Sequence, residues 1–115
     1  MEKHRQFDSL ACLKDIEQSI QEIYEFLPEE RNFFAFQKDL KTRKAIERNI
    51  EIIGEAMERL LRADPSIEIT DSRKIVDTRN RIIHGYDSVS EDVIWLIVNR
   101  YLPVLENEIR ELLKS

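Results

Sequence analysis

The sequence predicts an all-α fold, an up-and-down bundle of four or five helices in a single domain over residues 1–115, and three observations predict it. Apolar residues recur at spacings of three and four through most of the chain, the period of an amphipathic helix. Only two glycines and three prolines occur, too few for the frequent turns of a multi-stranded architecture. Hydrophobic residues make up 42% and charged residues 36%, enough apolar surface to offset chain entropy, with long solvated faces left over.

The first helix follows from Phe7, Leu10, Leu13, Ile16, Ile20, Ile23 and Leu27, which form one stripe, and Pro28 stops it. The aromatic patch "FFAFQKDL" reads as a core-packed turn or as the start of the next helix. That second helix is expected over about residues 36–62, on the stripe Ile46, Ile50, Ile53, Met57 and Leu60. Ile52, Ala56 and Leu61 widen the stripe, so this helix should meet neighbours on more than one side. "ADPSIEIT" is the clearest loop. Thr70 or Asp71 can cap a third helix that carries Ile75, Val76, Ile82 and Ile83 and ends near Gly85, the residue best able to take a left-handed C-terminal conformation. Ser90 can cap a fourth, with Val89 stapled against Ile94. Its stripe of Ile94, Val98, Tyr101, Leu105, Ile109 and Leu112 is interrupted by Pro103, where the missing amide predicts a kink.

Composition narrows the functional classes. The single cysteine, Cys12, allows no internal disulfide and no C-x-x-C metal or redox motif, so a reducing interior is expected. No apolar leader opens the chain, and "VIWLIV" is far shorter than the ~20 residues a membrane span needs, which predicts a cytoplasmic protein without a membrane partner. Net charge is −5, against a general nucleic-acid binder. Its distribution is uneven: residues 38–48 carry five basic and two acidic groups, and residues 73–86 four and one, a combined +6 that leaves −11 on the rest. These runs read either as solvated helix faces or as the wall of a positive cleft.

No serine nucleophile elbow and no phosphate-cradling glycine loop is present. Glu51, Glu55 and Glu58, interleaved with Arg48, Arg59 and Arg62, fit ion pairs within a helix better than a metal site, and neither metal nor cofactor is expected. What remains is "RNRIIHGY" at residues 79–86. His84 can move a proton near neutral pH, and Arg79 offers a permanent fork of donors to phosphate oxygens. Together they suit metal-independent phosphodiester cleavage in which the nucleophile is an RNA 2′-hydroxyl already tethered beside the phosphorus. At about 100° per residue, Arg79 and His84 lie about 140° apart around a helix, whereas Asn80 and His84 share a side. A homodimer in which Arg79 of one chain approaches His84 of the other would resolve this, as would distortion at the helix end. The non-catalytic alternative pairs Arg79 with Asp77 or another helix carboxylate and leaves His84 to the helix dipole.

The spacing R-x-x-x-x-H-x-Y of Arg79, His84 and Tyr86, with Asn80 beside the arginine, resembles the signature of HepT-like toxins of the HEPN superfamily. "IEIIGEA" at 50–56 and "VIWLIVNRYLPVL" at 93–105 stand in the order that family shows, although the segment before the motif lacks the tryptophan often found there. The resemblance implies a helical homodimer with a composite ribonuclease site of Arg79, His84 and Asn80 at the dimer cleft. It further implies a type VII toxin–antitoxin pair, in which a minimal, MntA-like nucleotidyltransferase transfers AMP to Tyr86. A phosphodiester there would place negative charge where an RNA phosphate should bind. Two alternatives stay open: a helical binding module that docks on a nucleotidyltransferase without cutting RNA, and a purely structural helical dimer.

Overall fold

The computed structural model describes residues 2–27, 29–84 and 91–114, and the side chains of residues 2–7, 83 and 84 lie outside the description. All regular structure among the described residues is helical: α1 (Glu2–Phe26), α2 (Phe33–Lys38), α3 (Leu40–Ala63), α4 (Ser72–His84), α5 (Glu91–Leu96), a π-helical segment (Ile97–Tyr101) and α6 (Leu102–Lys114). α3 is the central element, packed along α1 on one side and α4 on another, with α2 and α5 near its start; α6 packs on α1. The core is built largely from the expected stripes, with Ile16, Ile20 and Ile23 of α1, Ile46, Ile50, Ile53, Met57 and Leu60 of α3, Ile75 and Val76 of α4, and Ile94, Val98, Leu105 and Ile109 of the last helices all buried; Leu102 joins them, while the expected Tyr101 and Leu112 are only partly buried. No described helix is long and apolar enough to cross a membrane.

The second expected helix begins later than residue 36, because Asp39 breaks the chain into two helices. Its backbone N–H closes α2 on the Phe36 carbonyl, 3.1 Å away. Its carboxylate then caps α3, accepting from the Thr42 amide at 3.1 Å and the Thr42 hydroxyl at 2.6 Å. Residues 33–38 thus form a helix of their own, capped by Asn32, whose Oδ1 accepts from the Ala35 amide at 3.0 Å. Phe36 is buried and Phe33 half-buried, both stacked edge-on or tilted against Trp95 of α5. Phe34 departs from the expected core role: the helix turns it outward, 72% exposed. Leu10 likewise sits at the stripe's edge, 41% exposed, while Cys12 is buried in its stead. Burial pushes the Cys12 thiol above its ordinary pKa and keeps it protonated, a packing role.

Thr70 does not cap α4. Its amide and hydroxyl donate to Glu108 of α6 at 3.1–3.2 Å, which ties the loop to the far helix. Asp71, with φ 58, makes the left-handed turn into α4 and pairs with Lys74 at 3.6 Å. Gly85, Val89 and Ser90, expected as helix stop, staple and cap, lie outside the described residues.

The kink expected at Pro103 takes the form of a π turn placed just before it. Proline has no amide to give the carbonyl four residues back and its ring crowds that turn. Widening the ladder accommodates both: the Leu102 amide reaches the Ile97 carbonyl instead. Asn99 adds its side-chain donor to the Trp95 carbonyl at 2.9 Å, where the α pattern gives way.

The Thr42 hydrogen bonds lower the Asp39 carboxyl pKa below its ordinary value. Such a group contributes stability above the unfolded-state pKa and loses it as pH falls through the lowered, folded-state value. Asp39→Ala should therefore lower Tm at neutral pH, and the gap to wild type should close in acid; calorimetry across pH checks both.

Candidate active site

α4 carries the motif, and its approach to α3 determines where Arg79 sits. Gly54 lies in the middle of α3, a position at which glycine costs a helix about 1 kcal/mol relative to alanine. Its reason is steric. A Cβ built on Gly54 would overlap the Arg79 Cβ, and would stand 2.7 Å from the Arg79 Cγ and 3.3 Å from the Ile75 carbonyl oxygen. The missing side chain is thus a notch into which the stem of Arg79 is laid.

From this notch the guanidinium runs along α3 to Glu58, one turn further on. Nη1 contacts Glu58 Oε2 at 3.4 Å and donates to Asn80 Oδ1 at 2.9 Å. Glu58 also faces Arg62 at 3.8 Å within α3, so one carboxylate serves a surface pair and the motif arginine together. The Arg79 side chain is 23% exposed, and its Nε is buried with no hydrogen-bond partner. A buried donor left unpaired costs stability. The pair with Glu58 is partly exposed and contributes about 1 kcal/mol at most. Its effect is chiefly one of aim.

Arg79 and Asn80 are therefore brought together on one helix, as neighbours joined by a side-chain hydrogen bond. The backbone of His84 closes α4, while its side chain and the whole of Tyr86 lie outside the described residues. α4 is α-helical through residue 84, so the angular separation of about 140° between positions 79 and 84 is not relieved by a distortion of the backbone. Arg79 does find a carboxylate, as the non-catalytic alternative expected; it is Glu58 of α3 and not Asp77.

The other charged residues divide. Lys44 pairs with Glu47 and Arg48 with Glu51 within α3, while Arg43 reaches Glu91 of α5. The basic run at 38–48 is thus largely the neutralised helix face that charge runs usually are. Among the basic residues of α4, Lys74 donates to the Tyr101 hydroxyl at 3.3 Å and lies over its ring at 5.2 Å. That hydrogen bond, first among the causes, raises the Lys74 pKa and secures its charge.

Two positions that shape the site, Gly54 and Glu58, escaped the reading by motif. Gly54 had a signal: a lone glycine inside an otherwise unbroken helical stripe marks a close approach. Glu58 had none, since its spacing from Arg62 already explained it.

Comparison with known proteins places these residues in a family context. The family model described as ribonuclease HepT-like matches residues 16–112. A relative from Methanocaldococcus jannaschii, whose name marks it as a candidate RNase, is 32% identical over 112 residues, covering 94% of this chain and 89% of the relative. A protein of Thermococcus cleftensis named a probable ribonuclease HepT is 35% identical over 106 residues, covering 89% and 93%. A further candidate RNase, from Caldanaerobacter subterraneus, is 31% identical over 85 residues, covering 73% and 76%. No solved structure gives a significant match.

The notch makes an unusual prediction. Glycine to alanine inside a helix normally stabilises, but Gly54→Ala should lower the unfolding free energy by about 1–3 kcal/mol, because the new methyl overpacks the α3–α4 contact. Denaturant titration measures the sign, and a stabilised variant would contradict the packing described.

Proposed function

From the HepT-like ribonuclease family, to which this chain belongs, we propose that it acts as a metal-independent endoribonuclease toxin whose site is completed by a second copy of the chain. The observation that carries the reading is the restraint on Arg79: its stem is seated in the Gly54 notch and its guanidinium steadied by Glu58 and Asn80. A cation fixed before substrate arrives stabilises charge on a phosphoryl group without reorganising in the reaction, the arrangement that contributes most to catalysis by electrostatics.

In the proposed reaction, the RNA 2′-hydroxyl attacks the adjacent phosphorus and the bond to the 5′-oxygen of the next nucleotide breaks. The products are a 2′,3′-cyclic phosphate and a free 5′-hydroxyl. His84 of one subunit takes the proton of the 2′-hydroxyl, and His84 of the other gives a proton to the leaving oxygen. Arg79 stands over the non-bridging oxygens, with Asn80 as its polar companion. The angular gap between positions 79 and 84 on a regular helix supports sharing between subunits, since one α4 does not direct both groups to one phosphate.

We assign Tyr86 as the acceptor of AMP from an MntA-like nucleotidyltransferase antitoxin. The tyrosine oxygen attacks the α-phosphorus of ATP and releases pyrophosphate, leaving a phosphodiester two residues from His84. Its negative charge occupies the position an RNA phosphate needs.

Arg79→Ala and His84→Ala should each reduce RNA cleavage by at least about a hundredfold while the helical signal and the molar mass stay unchanged. Cleavage should persist in EDTA and yield 2′,3′-cyclic ends. A folded His84→Ala variant that still cuts RNA would overturn the assignment, and a linear phosphate product would exclude attack by the 2′-hydroxyl.

Incubation with the nucleotidyltransferase, ATP and magnesium should add the mass of one AMP per chain and silence cleavage, and Tyr86→Phe should abolish both effects. Cleavage unaffected by modification would reject this mode of control.

A further inference from the structure

Along another side of α4 from the Gly54 notch, a cleft of about 260 Å³ opens between α4 and the α5–π segment. Lys74, Ile75, Asp77, Thr78 and Arg81 line it from α4, and Val93, Leu96, Ile97 and Tyr101 from the facing helix. The two walls differ in chemistry. That of α4 is charged at Lys74, Asp77 and Arg81, while the facing wall is apolar apart from the Tyr101 hydroxyl. Leu96 remains 42% exposed at the edge of the cleft. Tyr101 ends the π turn, a distortion that recurs at functional sites because it re-aims side chains.

We propose that this cleft is a nucleotide subsite, holding an RNA residue next to the one that is cut; the proposal rests on the ribonuclease reading above. Its volume is near the lower limit, about 300 Å³, of small-ligand sites, room for one nucleotide and not for a folded segment. Arg81 is exposed at the rim of this wall, where a guanidinium suits a backbone phosphate. Lys74, paired with Asp71 at 3.6 Å, is held across the Tyr101 ring on the same wall. The apolar facing wall suits the flat face of a base, which single-strand readers bind without regard to sequence. Asp77 supplies an acceptor for a 2′-hydroxyl or an exocyclic amine. Position 84 lies three residues beyond Arg81 and seven beyond Asp77, so in helical register it continues this row. A nucleotide in the cleft would therefore lie alongside position 84, with the phosphate-binding arginine supplied by the second copy, which fits the single-stranded substrate that 2′-hydroxyl chemistry prefers.

The test uses the full chain, a short mixed-sequence 2′-O-methyl oligoribonucleotide that cannot be cleaved, and its cleavable RNA counterpart. Arg81→Ala should weaken binding of the 2′-O-methyl probe about tenfold, as expected for a hydrogen bond to a charged group. It should also reduce the slope of log K against log salt by about one. With cleavable RNA, the loss should fall on KM and leave kcat in place. Tyr101→Leu should weaken probe binding by a similar factor without changing the salt slope, since it removes a ring and no charge.

Affinity and salt slope indifferent to Arg81, in a protein that cuts RNA, would overturn the subsite and leave the ribonuclease reading standing. Arg81-dependent binding by a wild-type chain that does not cut would do the reverse. A changed molar mass in light scattering for Arg81→Ala or Leu96→Asp, with probe affinity unaltered, would make the cleft a subunit contact and overturn the proposal.

Discussion

The closeness of α3 to α4 is the constraint on which the rest of this structure depends. Two helices usually stand 8–10 Å apart, separated by the side chains between them. At Gly54 one of those side chains is absent, and the stem of Arg79 fills the gap. This contact fixes which face of α4 is turned inward, with Ile75 and Val76 in the core, and leaves Lys74, Asp77 and Arg81 to line the neighbouring cleft. A charged residue is thereby made part of a packing interface. Its methylenes are held like those of a core residue while its head remains 23% exposed.

That arrangement explains what the sequence disclosed and what it withheld. Periodicity is a property of one helix, so the stripes of α1, α3 and α6 could be read directly, and most of their apolar positions are buried. Contacts between helices leave weaker traces. Asp39 carries no apolar signal, yet its backbone and carboxylate divide the expected second helix in two. Phe33 and Phe36, three residues apart, share one face of α2, and Phe34, about 100° round from Phe33, is carried off it. Thr70 looked like a cap on local grounds and is taken instead by Glu108, 38 residues away.

For the candidate site the division is similar. The motif drew attention to α4 and to Arg79 with Asn80, which are hydrogen-bonded neighbours. The supporting residues come from α3, and only the lone mid-helix glycine hinted at them. Pro103 shows the opposite case, in which a local rule correctly located a disturbance but not its form. A proline inside a helix can bend it, end it or widen it. Here the neighbouring Asn99 supplies a donor to the ladder and the helix widens, placing Tyr101 opposite Lys74.

The notch at Gly54 also limits how this pair of positions can drift. The overlap is between one Cβ and another, and every residue except glycine carries that atom. Shortening residue 79 to alanine, serine or cysteine would therefore make no room for a larger residue at 54, and only glycine at 79 would compensate. Any lineage that otherwise fills the notch must reposition an entire helix, and with it Arg79 and Asn80.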